Sequence, residues 1–493
     1  MTTGFKSGTA VFAILAAWAV GASPAAAADL GGDCCADLEE RIAELEATTA
    51  RKGNRKVKLE VSGHVNEAIL LWDDGVESNA GVYTNDNSRS RFRFRGSAKI
   101  NDDFSAGYLL EVGVRGANSK RFNQENPDGC DGTNCGLDLR HSTWYVDSKK
   151  FGRVWVGLTG GAGEGITEIN LSKSGDVAKY SDIEDSGLGL YTRTDDGTRL
   201  ANFSSTSGRS GLQWRQLIRG GGDQPGEGRR YNLVRYDTPE IGGFIGTVNW
   251  GEDDTWEVGL RYKGDFSGIK VAAGFAYGEN SEGPVSATQS DSIPGFQCPG
   301  NNFDGTTQNS SVPDTRCRQY GGSISIMHSE SGIYGNFAAG LLDDEAIETD
   351  PGFKGADAAD AESYFYAFEL GIERKWMPLG TTTIFGQYYK NEGGSQDRSI
   401  GQVSEGCTWN DPDSLGSACR AAGLQGDLLS SEITSYGAGI VQAIDAAAMS
   451  VYLTYRHYEG EVTGNGPSSG AGPVITQELD DLDVVMGGGI IRF

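Results

Sequence analysis

The sequence has little proline, 13 residues among 493, and only four histidines (His64, His141, His328 and His457), each alone in a strand-like run. Scarce proline leaves long stretches of backbone free to donate to a sheet ladder. Dispersed histidine, with no cysteine in register beside it, excludes a clustered metal site. No internal apolar run approaches the roughly 18 residues that a membrane helix needs. There is no basic surplus either: the formal net charge is −26, which excludes non-specific nucleic-acid binding and suits an acidic cell-surface protein whose loops meet divalent cations.

What is plentiful is glycine, 73 residues, about twice the usual share. The one apolar block, Ala10 to Ala22, follows Lys6, precedes Pro24 and leads to Ala26-Ala27-Ala28. This is the pattern of a secretory signal peptide over residues 1–28, cleaved after Ala28. In an exported chain the close pairs Cys130/Cys135, Cys298/Cys317 and Cys407/Cys419, all in polar loop sequence, are disulfide candidates. Cys34 and Cys35 have no assigned role; Asp33 before them spoils a lipoprotein acceptor. Residues 29–52 read as a short helix with a heptad seam through Cys35, Leu38, Ile42, Leu45 and Thr49. The seam spans too few turns to be stable alone.

From Lys56 to Trp72 the parity is clean. One set is Val57, Leu59, Val61, Gly63, Val65, Glu67, Ile69 and Leu71, with Glu67 its single misfit. The run exceeds an ordinary strand about threefold. The next strand sets Arg91, Arg93 and Arg95 against Phe92 and Phe94. A cation on the lipid face near the bilayer midplane costs about 2–4 kcal/mol, so these arginines face water, and a strand with water on that side borders a wet interior.

Further strands are expected at about 104–116, 137–147, 152–158, 229–237, 243–250, 255–263, 269–277, 319–328, 333–341, 363–376, 380–390, 431–444, 447–458 and 483–493, about sixteen in all. Tight turns such as Asn101-Asp-Asp103 and Gly264-Asp265 alternate with long polar loops at about 73–89, 117–136, 278–318, 342–362, 391–430 and 459–482. Short turns on one side and long loops on the other describe an all-β, 16-stranded antiparallel transmembrane barrel over residues 53–493. The terminal strand, ending on Phe493, closes it against the first. The connection at about 159–228 is the longest and carries Glu164, Glu168, Asp176, Asp182, Glu184 and Asp185. It is expected to fold inward and set these acids across the lumen from Arg91, Arg93, Arg95 and Arg115. A hairpin near Leu190 to Phe203, turning at Asp196-Gly197, would instead raise the strand count to eighteen.

Several stretches resemble the outer-membrane porins of alphaproteobacteria: Ala28 to Ala47 as the mature N-terminus, Val57-Lys-Leu-Glu-Val-Ser-Gly63 as the first strand, Arg235-Tyr-Asp-Thr-Pro-Glu-Ile-Gly-Gly-Phe244 between strands six and seven, and the terminal Phe493. The resemblance implies a homotrimer in outer-membrane lipid and lipopolysaccharide, passive diffusion of small hydrophilic solutes, no cofactor, and an eyelet of wall bases facing acids of the third loop. A solute-selective channel with a sugar slide of Trp155, Tyr180 or Trp214 is the alternative. Catalysis is not expected: Gly466-Pro-Ser-Ser-Gly470 fits a serine-hydrolase elbow pattern but lacks the strand before it and the helix after it.

Overall fold

The computed structural model describes residues 57–130, 135–202, 210–218, 224–251, 255–280, 316–345, 360–394, 396–403, 420–465 and 474–493. The signal peptide expected at 1–28 and the helix expected at 29–52 lie outside them. No described helix is long and apolar enough to cross a membrane, and the crossing is made by strands.

The wall strands are β1 (Lys58–Asp73), β2 (Ser78–Thr84, then Arg91–Lys99), β3 (Phe104–Arg115), β4 (Gly136–Ser148), β5 (Gly152–Gly160), β6 (Arg230–Asp237), β7 (Phe244–Gly251) and β8 (Trp256–Phe266). They continue as β9 (Ile269–Asn280), β10 (Cys317–His328), β11 (Ile333–Asp344), β12 (Glu362–Met377), β13 (Gly380–Glu392, extended by Gln396–Val403), β14 (Arg420–Ile444), β15 (Met449–Asn465) and β16 (Val474–Glu478, then Leu482–Arg492). Each pairs antiparallel with the next, and β16 pairs with β1 from His64↔Arg492 to Asp73↔Asp483. The sheet is therefore a closed sixteen-stranded barrel, which leaves no open edge. Phe493 completes the seam by exchanging backbone hydrogen bonds with Gly63, at 2.9 and 3.0 Å.

Parity sorts the side chains. Leu59, Val61, Val65, Ile69, Val248, Leu260, Phe275, Ile326, Phe368 and Leu370 are large, apolar and exposed on the outer face. A belt of that extent belongs against lipid, not water. Aromatic rings edge it, with Trp256 5.4 Å from Tyr277 and Phe244 4.6 Å from Tyr262 between ring centroids. Such girdles mark the two membrane interfaces.

Three expectations need correction. The loops expected at 391–430 and 459–482 are partly strand, since Gln396–Val403 extends β13, β14 begins at Arg420, β15 runs to Asn465 and Val474–Glu478 belongs to β16. Residues 73–89 are not a long loop: a tight turn at Asp74–Glu77, closed by Asp74 Oδ1 accepting from the Glu77 amide at 2.8 Å, leads straight into β2. A six-residue break, 85–90, then interrupts β2 and accounts for the polar sequence there. The hairpin turning at Gly197 does form, with Gly197 at φ +81°, but it stays in the third loop. Its strand Leu200–Asn202 pairs with the Gln396–Val403 extension of β13, so it adds nothing to the wall count.

The described parts of the third loop, 161–202, 210–218 and 224–229, lie inside the barrel. Ser323 on β10 accepts from the Ile169 amide at 3.1 Å, and Ser325 accepts from the Leu171 amide at 3.0 Å. On β12, Glu369 accepts from Ser174 Oγ at 2.7 Å, and Glu373 accepts from the Lys173 amide at 2.8 Å. Gln387 on β13 donates to Ala178 O at 2.7 Å, Tyr458 on β15 donates to Ser186 O at 3.1 Å, and Asn85 in the break of β2 donates to Val177 O at 2.9 Å. One segment thus touches strands around most of the circumference, which only an interior position allows. Val177, Tyr180, Ile183, Leu188, Leu190, Trp214 and Leu217 pack there on Leu70, Trp72, Tyr389, Tyr452 and Met486. Gly226, at φ +82°, rests on Gly321 and Gly340, where an added Cβ would lie 3.0 and 2.9 Å from their Cα atoms. The loop therefore has its own apolar seat and fills one side of the lumen. The opposite side is polar.

Candidate functional site

The polar side is built by β2 to β8. The alternation of β2 points Arg91, Arg93 and Arg95 into the lumen and Phe92 and Phe94 outward, and register sets Arg93 opposite Glu111 on β3. Between β3 and β4 the register slips: Glu111 faces His141 while Val112 faces Leu139. Arg140 is the extra residue of this bulge, and a bulge re-aims its side chain. Arg140 consequently reaches Glu111, Nε to Oε1 at 2.7 Å. Arg93 Nε donates to Glu111 Oε2 at 2.6 Å, and Arg91 Nη1 to Oε1 at 3.4 Å. Around this fan, Arg89 pairs with Asp138 at 3.0 Å, and Arg115 grips Asp86 with two bonds of 2.6 and 2.9 Å.

Further along the wall, Arg153 pairs with Asp147 at 2.8 Å and lies over the rings of Tyr145 and Trp155, 4.7 and 5.2 Å from their centroids. Arg235 pairs with Asp237 at 2.8 Å and donates to Gly160 O at 3.1 Å. Arg261 donates to the Ala162 carbonyl at 3.3 Å and also to that of Glu164. Arg95 is exposed and forms no ion pair among the described residues.

The six loop acids separate. Glu164 pairs with Arg230 at the root of the loop. Burial acts to raise its pKa, but Arg230, with His141 and Arg140 beyond it, holds it below the usual range. Glu168 and Asp182 share Lys179 at 2.7 and 2.8 Å. Burial, with the Asp182 charge adding and Lys179 opposing, pushes Glu168 up to about 7. Asp182 is also buried, yet Lys179 keeps it well below the ordinary range. Glu184 and Asp185 meet Lys120 at 3.2 and 3.5 Å; burial first, then Asp182, raises both well above ordinary values. Asp176 pairs with Arg492 at 2.6 Å.

No ion pair among the described residues joins these acids to Arg91, Arg93 or Arg95. The counter-charge of Arg91 and Arg93 is on the wall, at Glu111, and the loop acids are largely balanced by the loops' own lysines. In the sequence alone nothing singles out Glu111, Arg140, Arg153, Arg230, Arg235 or Arg261 as members of one site. Parity would have turned most of them inward; Arg140 needed the bulge. Of the three proposed slide aromatics, Tyr180 and Trp214 are buried in the loop's apolar seat, and Trp155 is tied to Asp237 through Nε1 at 2.9 Å. No slide is assembled from them.

Cys130 and Cys135 form a disulfide with Cα atoms 5.3 Å apart. Cys317 is disulfide-bonded as well; Cys298, Cys407 and Cys419 lie outside the described residues. No group of His, Cys, Asp and Glu suited to a metal ion occurs among the described residues.

A family model described as Gram-negative porin matches residues 10–479. No curated protein matches in sequence. Similar solved structures include an anion-selective porin from Comamonas acidovorans, at 13% identity over 89% of this chain and 100% of that one, with a TM-score of 0.46. OmpT, an outer membrane protein of Vibrio cholerae, is similar at 10% identity over 90% and 99%, with a TM-score of 0.45. The high-pH structure of Pseudomonas putida OprB is similar at 9% identity over 93% and 97%, also with a TM-score of 0.45.

Proposed function

The chain belongs to the Gram-negative porin family, and from that premise we propose how its channel is lined and what it favours. It is an outer-membrane channel for passive diffusion of ions and small hydrophilic solutes, and the family and fold are those of non-enzymatic channels. The conducting path runs between the arginine-bearing wall of β2 to β8 and the inward loop. The observation that carries this is the one-sided lumen: apolar packing under the loop on one side, guanidinium groups open to water on the other. The charges nearest the path are mostly positive, so the channel prefers anions even though the whole chain is acidic. Local fixed charge, not net charge, sets the potential a solute meets.

The purified protein in a planar bilayer tests this directly. Stepwise conductance and a reversal potential of anionic sign in a salt gradient are expected. A non-conducting protein would sink the open path, and a cationic sign would sink the arginine lining.

The biological unit we infer is a homotrimer, with neighbouring copies covering the outer face near β16, β1 and β2. Glu67 supports this. Its carboxylate is exposed between Val65 and Ile69 on the outer face and accepts from Thr84 Oγ1 at 3.1 Å and Ser90 Oγ at 3.0 Å. Beside it Gly489 and Gly487 present a flat backbone. A carboxylate facing hydrocarbon is unfavourable, whereas a protein neighbour can satisfy it. Lipid and lipopolysaccharide meet the remaining outer belt. The stretches 28–47, 57–63 and 235–244 support an alphaproteobacterial origin, and residues 1–28 and 29–52 serve as export signal and short periplasmic helix.

A further inference from the structure

We propose that Glu111 sets the channel's charge preference by acting as one counter-ion shared among three lumen guanidiniums, those of Arg91, Arg93 and Arg140. This rests on the reading that the arginine wall lines the conducting path. Three cations around one carboxylate leave a surplus of two positive charges at a single level of the wall.

The exposure pattern orders them. The Glu111 side chain is 0% exposed, Arg140 9%, Arg91 17% and Arg93 33%. A passing solute therefore meets guanidinium edges and not the carboxylate, and Arg95, two residues along the same face, is open beside them. Glu111 also supplies the attraction that keeps three like charges together. Neither oxygen is spare: Arg93 takes Oε2, and Arg140 and Arg91 share Oε1. Two independent features of the chain assemble the fan. Cross-strand register brings Arg93 to Glu111, and the bulge brings Arg140. Without the carboxylate the wall would carry one more uncompensated positive charge, and the guanidiniums would repel one another toward the lumen.

The test compares reversal potentials in a potassium chloride gradient for the wild type, Glu111→Gln, Glu111→Asp, Arg140→Gln and the double variant Glu111→Gln/Arg140→Gln. Each is checked for folding by heat-modifiable electrophoretic mobility. One unit of charge a few ångströms from the path is expected to raise the anion-to-cation permeability ratio of Glu111→Gln by about twofold or more. Glu111→Asp stays near wild type, Arg140→Gln moves the other way, and the double variant returns toward wild type because the charge count is restored. An unmoved ratio in folded Glu111→Gln, or a double variant that does not return, overturns the proposal. If Glu111→Gln does not fold, Arg140→Gln alone decides it, and no shift there overturns it. A wild-type channel without anion preference would instead overturn the arginine lining, before any variant is considered.

Discussion

Lys179 is the cation on which the inward loop's charge balance turns, and replacing it with methionine keeps its length while removing its charge. Its Nζ lies 2.7 Å from Glu168 and 2.8 Å from Asp182. Removing one partner of a buried pair costs about 3–5 kcal/mol, because the other charge is left behind. The lysine and Glu168 keep about a fifth of their side-chain surface exposed, and Asp182 about a twentieth, so the lower end applies, about 3 kcal/mol. Near neutrality Glu168 can shed its charge by taking a proton, and Asp182 bears the loss. At about 1.4 kcal/mol per decade, opening of the loop becomes about 100-fold more frequent. Amide hydrogen exchange reads this where the loop hydrogen-bonds to itself and to its neighbour: Val177 and Ala178 to Ser174 O, and Gly187 to Ser119 O. Those amides should exchange about 100-fold faster in Lys179→Met, while amides of β9 to β16 stay unchanged. Unaltered protection at Val177 and Ala178 would refute the idea that this pairing seats the loop.

Other expectations follow from neighbouring groups. Glu168 stands at about 7 against an ordinary 4.5. An acid raised in the seated state favours seating while protonated, so its contribution is complete below about pH 4.5 and is lost as pH climbs through about 7. Glu184 and Asp185 act with the same sign; the slope of loop protection across that window should shrink in Glu168→Gln, and an equal slope would count against it. Arg91→Glu combined with Arg93→Glu should shift ion preference toward cations but lower the folded yield, since Glu111 would keep only Arg140; Arg95→Glu should give a shift without that loss, and reversal potentials with folded fractions separate the two. Glu67→Leu should weaken the oligomer in detergent by size-exclusion chromatography, and an undiminished oligomer would place that face against lipid.

Much of the barrel was legible because its signal is parity. Alternation in Lys56 to Trp72, Trp256 to Lys263 and Tyr364 to Glu373 sorts wet from greasy positions without knowledge of any neighbour, and turn residues space the strands. The break in β2 was harder, since residues 73–89 are rich in Asp, Asn, Ser and Gly, with only Val76, Ala80, Val82 and Tyr83 among them apolar or aromatic, and a hairpin followed by an interruption reads like a loop. The site was legible by half. Arg91, Arg93 and Arg95 declared their side of the wall, but a partner is a matter of register, and register between β3 and β4 slips by one residue at Arg140. The loop acids misled for a different reason. A carboxylate in a long loop gives no sign of whether a lysine a few residues away, as Lys179 is from Asp182, will claim it first.

The seam between the first and last strands has a consequence for biogenesis. Residues 64–73 find their partners at 483–492, on the first and the sixteenth strand of the wall, so the cylinder cannot shut until all the strands between them have been exported. Until then the earliest strand waits with one flank unsatisfied, a state prone to sticking to other chains. Contacts this distant in sequence form slowly. A means of covering the free edge of β1 until β16 arrives is therefore a demand written into the connectivity itself.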